Sequence, residues 1–250
     1  MRKVLDRDTS GYSFELVPEV LDKIHRAGDL HQVIREEQVR DLEYVDISNK
    51  GYRIIKRILD VVVSVAGLCL LLVPMLLIAA VVYIDDPGPV FFAQDRIGRF
   101  GKRFKLYKIR TMKKDTPKYL ATKEVDTPDA YITRVGRFLR MLSLDEIPQL
   151  LNVIKGDMSM IGPRPLITDE YELHAMRMRF GVYDIRPGIT GLAQINGRDQ
   201  ITAERKLRWD VEYLKKFSFW TDLKILFTTI PKTLSRDGFE EGMNTKECGK

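Results

Sequence analysis

The chain has 250 residues, 44% hydrophobic and 30% charged, enough for one substantial core with a small appendage. A net charge of +6 points to anionic partners: phosphorylated small molecules, acidic lipid or nucleic acid. Cys69 and Cys248 are the two cysteines, which excludes a disulfide framework, and His25, His31 and His174 make no zinc-type cluster.

The first sixty residues are polar and contain no signal-peptide apolar region, so a cytoplasmic location is expected for them. Within 1–50, Val17, Val20, Leu21 and Ile24 recur at helical spacing, as do Leu30, Val33 and Ile34 beyond Gly28-Asp29. This predicts a polar helical extension, mobile or docked on a partner; the plainer reading is an ordinary amphipathic helical pair of no special role.

Residues 61–84, VVVSVAGLCLLLVPMLLIAAVVYI, are uncharged between Asp60 and Asp85. A run of this length inserts into a bilayer. Pro74 in its middle removes a helix hydrogen bond and favours a kink, leaving halves of about 15–20 Å. Basic residues stand on both sides: Lys50, Arg53, Lys56 and Arg57 before the run, Arg96 to Lys114 after it. Both flanks therefore ask for the cytoplasm. A re-entrant helical hairpin over 51–86 satisfies both and a straight span satisfies one, and the pattern leaves the two open.

In PGPVFFAQDRIGRFGKRFKLYKIRTM, two β-like runs flank Gly98-Arg99-Phe100-Gly101, which predicts a β-hairpin. Lys108 and Arg110 alternate onto one face of its second strand, solvated or bound to phosphate. Residues 113–130 read as a loop, and a helical pattern resumes over 132–152 with an interruption near Ser143.

Asp145 and Glu146 sit side by side in LSLDEIPQL. Ser143-Leu144-Asp145-Glu146 matches a helix capping box, the structural reading of Glu146. The chemical reading starts from the same place. A carboxylate at a helix start stays ionised, and an ionised aspartate is a competent nucleophile toward phosphorus. Two adjacent carboxylates also suit magnesium, which keeps waters and binds substrate phosphates. Downstream, Arg164 stands between Pro163 and Pro165, either an incidental arginine in a turn or a guanidinium preplaced for phosphate. RPGITGLAQINGRD at 186–199 is turn-rich, a helix is expected over about 202–217, and SFWTDLKILFTTI reads as an interfacial or a core-packing helix. The segment 236–250 reads as a disordered tail. The basic residues lack a recognition-helix or RNP-type aromatic pattern, so nucleic acid is not an expected partner. A non-enzymatic membrane adaptor would have no need for an acid pair among basic strands.

The order KRILD, an apolar run with a central proline, GPVFFAQDRIGRFGKRFKLYKIRTM, RVGRFLRMLSLDEIPQLLNVIKGDMSMIGPRPL and RPGITGLAQINGR strongly resembles the bacterial sugar transferase family, over residues 53–234. These are monotopic phosphoglycosyl transferases. The resemblance implies transfer of a sugar 1-phosphate from a UDP-sugar to a polyprenol phosphate of the undecaprenyl type, with Mg2+ and release of UMP, to begin exopolysaccharide, capsule, O-antigen or related glycan synthesis. It makes Asp145 the nucleophile that forms a covalent phosphosugar ester. Glu146 assists, and both carboxylates are the expected metal ligands. Arg140, Arg164, Lys108, Arg110 and Asp157 match positions at the phosphate or nucleotide site, Asp157 with the least defined role. Pro74 matches the membrane break, although Val73 stands where members commonly carry serine.

The expected fold class is α+β, predominantly helical. It comprises a polar extension (1–50), a re-entrant membrane helical hairpin (51–86), and a cytoplasmic catalytic core with a small β-hairpin and interfacial amphipathic helices (87–235). The expected location is the inner membrane, with the catalytic domain on its cytoplasmic face. Expected partners are the two substrates, membrane lipid, a second copy as a homodimer, and downstream glycosyl transferases.

Overall fold

The computed structural model describes residues 39, 41–47, 51–116, 131–197 and 201–234. The helical pattern expected at the start of the chain, most of the loop expected over 113–130, and the expected tail at 236–250 lie outside the described residues.

Helix α1, Tyr52–Asp85, takes up the whole apolar run in 34 residues and continues through Pro74. At 1.5 Å per residue it is roughly 50 Å long, and its length and composition suffice to cross a membrane. In place of the expected break there is one helix. A proline forfeits a single backbone bond, and tertiary neighbours hold the geometry on either side of it. Leu68, Met75, Ile78 and Val82 pack against Ile109, Val135, Leu139, Leu144 and Ile147. The opposite face is apolar and open, with Ile54, Leu70 and Ile84 each more than 70% exposed.

The hairpin forms as its turn signals require. Strands β1 (Phe91–Ile97) and β2 (Arg103–Ile109) are antiparallel, with Phe91 opposite Ile109 and Ile97 opposite Arg103. Helix α2 (Arg134–Met141) is capped by Thr133, whose Oγ1 accepts from the Gly136 amide at 2.9 Å. A 3-10 turn, Leu144–Glu146, precedes helix α3 (Gln149–Lys155), which ends at Gly156 with φ of 97°. Strand β3 (Ser159–Ile161), helix α4 (Tyr171–Arg179), strand β4 (Gly188–Thr190), helices α5 (Leu192–Ile195), α6 (Ala203–Lys215) and α7 (Phe219–Leu234) complete the order. The class is α+β and mostly helical.

The short parallel sheet, with Ser159 beside Gly188 and Ile161 beside Thr190, has no counterpart among the sequence expectations. Three-residue strands carry too little alternation to be read. Their close approach depends on glycine: a side chain on Gly188 would overlap the Gly162 amide.

The main core gathers Leu173, Met176, Phe180, Leu207, Val211, Tyr213, Leu214 and Ile225. Val39 and Ile47 are buried in it, and Arg208 grips Asp41 through two bonds of 2.8 and 2.7 Å. The described part of the N-terminal segment therefore belongs to the body of the protein.

A buried polar network locks α1 to that body. Asp222 accepts from Lys56 Nζ at 2.6 Å, Tyr52 OH at 2.8 Å and Tyr213 OH at 2.7 Å. Asp60 accepts from Ser159 Oγ at 2.7 Å and the Met160 amide at 3.1 Å. Removing one partner strands the others in a dry site. Asp222→Ala is expected to destabilise the protein by about 3–5 kcal/mol, read from denaturant unfolding of the full chain in detergent, with Asp222→Asn losing less. On α7, Phe219, Trp220, Phe227 and Ile230 are exposed and Ile225 is buried, so the helix presents an apolar outer face while anchoring its inner one.

Candidate active site

The paired carboxylates sit where α2, the 3-10 turn and β2 meet. Helix α2 stops at Leu142, and Ser143 adopts a left-handed φ of 56°, which costs a non-glycine residue about 1–2 kcal/mol. That turn redirects the chain so that Asp145 points inward, only 6% exposed. The expected capping box is absent: Ser143 makes no side-chain cap bond, and the Glu146 amide bonds the Ser143 carbonyl at 3.2 Å. A left-handed Ser143 cannot hold the extended geometry that a capping residue needs. Glu146 is thereby left for other partners.

Those partners are cations from distant segments. Lys108, projecting from β2, donates to Glu146 Oε1 at 2.9 Å and lies 3.7 Å from Asp145 Oδ2. Arg164 Nη1 is 3.7 Å from the same Glu146 oxygen. Arg140, in the last turn of α2, donates from Nε to Thr111 Oγ1 at 2.7 Å, and its charge acts on Asp145. Gly136 permits this approach, since a side chain there would overlap the Thr111 carbonyl. A small cleft opens beside Arg96, Lys108, Glu146, Gln149, Arg164 and Ile189.

The proline-framed segment holds Arg164 in place. Arg177 Nη1 donates to the Arg164 carbonyl at 2.7 Å, and Arg96 Nη1 to that of Pro165 at 3.2 Å. Gly188 N bonds the Pro163 carbonyl at 2.9 Å. Arg177 is itself fixed by the buried Asp210 at 2.9 and 2.7 Å.

Environment drives the two carboxylates apart. Burial pushes Asp145 up to about 6, with Lys108 opposing and the Glu146 charge adding to the rise. Burial acts on Glu146 too, but Lys108 and Arg164, with hydrogen bonds from Lys108 and Gln149, overcome it and hold that carboxyl at about 2. Near neutral pH both are ionised, and three cations surround them, an excess of one positive charge. Such a site attracts a di-anionic phosphate and presents an aspartate to it.

The two carboxylates offer hard oxygen donors of the kind magnesium takes alongside substrate phosphates. Among the described residues no third acidic, histidine or cysteine side chain joins them. The pair therefore fits a cation that the substrate helps to hold.

Two expected site residues face elsewhere. Arg110 turns to the end of α1, where it bonds the Asp86 carbonyl and lies 3.3 Å from its carboxylate. Asp157 accepts from Asn152 Nδ2 at 3.3 Å, beyond the end of α3. Asn152 is a brace that sequence reading missed: it accepts from the Tyr107 amide at 3.0 Å and donates to the Lys105 carbonyl at 2.7 Å, pinning α3 to β2. Gln149 was also missed, although its spacing of three from Glu146 on a helical path was a usable signal. Arg177 and Thr111 gave none.

Comparison with known proteins adds a consistent result. The family model described as "Bacterial sugar transferase" matches residues 51–236. The chain is 44% identical over 190 residues to the "Uncharacterized sugar transferase EpsL" of Bacillus subtilis, covering 75% of this chain and 91% of that one. It is 42% identical over 192 residues to the "UDP-glucose:undecaprenyl-phosphate glucose-1-phosphate transferase" of Caulobacter vibrioides, covering 73% and 70%. With the "Undecaprenyl-phosphate galactose phosphotransferase" of Salmonella typhimurium it shares 35% identity over 207 residues, covering 77% of this chain and 43% of that protein. It thus spans less than half of the Salmonella relative's length.

Proposed function

The chain belongs to the bacterial sugar transferase family, and from that premise we propose that it moves a sugar 1-phosphate from a UDP-sugar to a polyprenol phosphate through a covalent intermediate on Asp145. One observation carries the reading: a buried aspartate lies beside a second carboxylate, with Lys108 3.7 Å from the first and 2.9 Å from the second and Arg164 3.7 Å from the second.

Asp145 Oδ attacks the β-phosphorus of the donor, forming an aspartyl phosphodiester to the sugar and breaking the bond between that phosphorus and the bridging oxygen. UMP departs with the bonding electrons. A polyprenol phosphate oxygen then attacks the same phosphorus and frees the carboxylate. Splitting one transfer into two displacements is nucleophilic catalysis, and Lys108, Arg164 and Arg140 neutralise phosphate charge in each. Mg2+ bound with Asp145 and Glu146 would neutralise further donor charge and offset the repulsion between the two carboxylates.

The nucleotide product decides between this and an ordinary glycosyl transfer. Full-length protein with Mg2+, polyprenol phosphate and a panel of UDP-sugars is expected to release UMP from one or a few donors. Release of UDP would assign the other chemistry, and no nucleotide from any donor would overturn the reading.

The way α1 is held supports one membrane mode. Its first turns are tied to the body through Asp60, and its end through Asp85 and Asp86, which accept from the Val135 amide at 3.3 Å and the Lys114 amide at 2.9 Å. Between these anchors Leu150 packs over Gly67. A straight crossing would separate the two sets of anchors by the membrane. We therefore place α1 in one leaflet, with its open apolar face toward lipid and the body on the cytoplasmic side. Single cysteines near residues 50 and 100, in a chain lacking its own, are expected to react with an impermeant reagent only from the cytoplasmic side. Labelling from opposite sides assigns a crossing.

A further inference from the structure

A second concavity lies at the foot of α1 and shares no lining residue with the cleft beside Glu146. Five cations line it, Arg53, Lys56, Arg57, Arg99 and Arg186, against two carboxylates, Asp60 and Asp184. Asp60 accepts from Ser159 and the Met160 amide and Asp184 from Tyr44 OH at 2.7 Å, and they also balance part of the arginine charge, Asp60 that of Arg186 and Asp184 that of Arg99 and Arg53. Lys56 is matched by Asp222 at 2.6 Å and Asp60 at 3.6 Å.

Backbone oxygens support the guanidinium groups. Arg57 donates to the carbonyls of Val153 at 2.7 Å and Ile154 at 3.1 Å, at the end of α3. Arg186 donates to the Gly156 carbonyl at 2.7 Å, and Arg99 to that of Asp184 at 2.9 Å. Neutral acceptors fix where these groups stand. The crowding registers on Arg186, whose pKa is pressed down by burial and then by Arg57, with Asp60 opposing and Arg53 adding. Like charges gathered on rigid supports in a half-sheltered hollow are relieved by an anion. The same turns of α1 expose Ile54, Ile55 and Ile58 on their outer face. The hollow thus lies where an apolar surface gives way to a basic one, the level of lipid phosphates.

We propose that the hollow formed by Arg53, Arg57, Arg99 and Arg186 binds the phosphate of a phosphate ester, as an anion site separate from the Asp145–Glu146 centre. The phosphate comes either from a phospholipid headgroup, with its chains along Ile54 and Ile58, or from solution.

Calorimetric titration of the full chain in a non-ionic detergent tests this and separates the sources. The probes are dihexanoylphosphatidylglycerol, inorganic phosphate, and dihexanoylglycerol, which has the chains without the phosphate. Saturable binding of the phospholipid, weakened roughly tenfold or more in Arg53→Gln and recovered in Arg53→Lys, supports a lipid site. The same pattern with inorganic phosphate alone supports a soluble ligand. Arg57, Arg99 and Arg186 are left intact because each braces a backbone carbonyl, and thermal unfolding of the variants checks their folding. Absence of binding by both phosphate probes, equal binding of dihexanoylglycerol, or affinity unmoved in Arg53→Gln overturns the proposal.

Discussion

Asp145→Asn is expected to abolish the covalent adduct and lower UMP release by roughly 10^4-fold or more. Intact-mass measurement after donor addition should show the parent chain heavier by one sugar phosphate, and the variant unchanged. The amide is nearly isosteric but lacks the charge and the lone-pair basicity needed to attack phosphorus. The same change is expected to stabilise the fold. Burial raises Asp145 from an ordinary 3.8 to about 6, so folding disfavours its ionised form. That penalty is absent below pH of about 4, grows as pH rises through about 6, and is complete above it. At pH 7.5 the asparagine variant should therefore unfold about 1–3 kcal/mol later than the parent, and near pH 3.5 the two should converge. Undiminished turnover would remove Asp145 from the chemistry, and equal stability at both pH values would remove the buried charge from the account.

Lys108→Met is expected to reduce turnover by roughly 10^2–10^3-fold at pH 7 and to move the acid limb of the pH profile upward. Lys108 is the largest influence holding Asp145 down against burial, so without it the aspartate protonates at higher pH. Activity that rises through about pH 6 in the parent should rise at a more alkaline pH in the variant. Part of the loss at neutral pH should then return on raising the pH, whereas loss of phosphate contact alone would not. Glu146 loses its 2.9 Å bond but keeps Arg164, so its carboxyl should rise toward the ordinary range and stay largely ionised near neutrality. A rate loss with an unmoved acid limb would separate Lys108 from the ionisation of Asp145.

How much of this was legible varied with the range of the interaction. Helix α6 begins at the expected place because Thr202 caps it locally, its Oγ1 accepting from the Arg205 amide at 3.4 Å. The β-hairpin was readable because its turn residues and alternating strands are close in the chain. Ser143 was visible as an interruption, but its left-handed backbone, and so the failure of the capping box, depends on how α2 meets β2. Arg110 shares a strand face with Lys108 in the sequence pattern, yet it lies just past the end of β2, where Asp86 captures it.

By itself the sequence determined which segments are apolar enough for lipid, where α6 lies, and that two acids stand together in a basic chain. Those properties follow from composition and from spacings of a few residues. Tertiary structure decided that Lys108, Arg140 and Arg164 converge on that acid pair, that Arg177 and Asn152 brace the segments carrying it, and that both ends of α1 rest on one body. Such contacts mostly join residues from different elements, and they settle which carboxylate burial raises and which one the cations hold down.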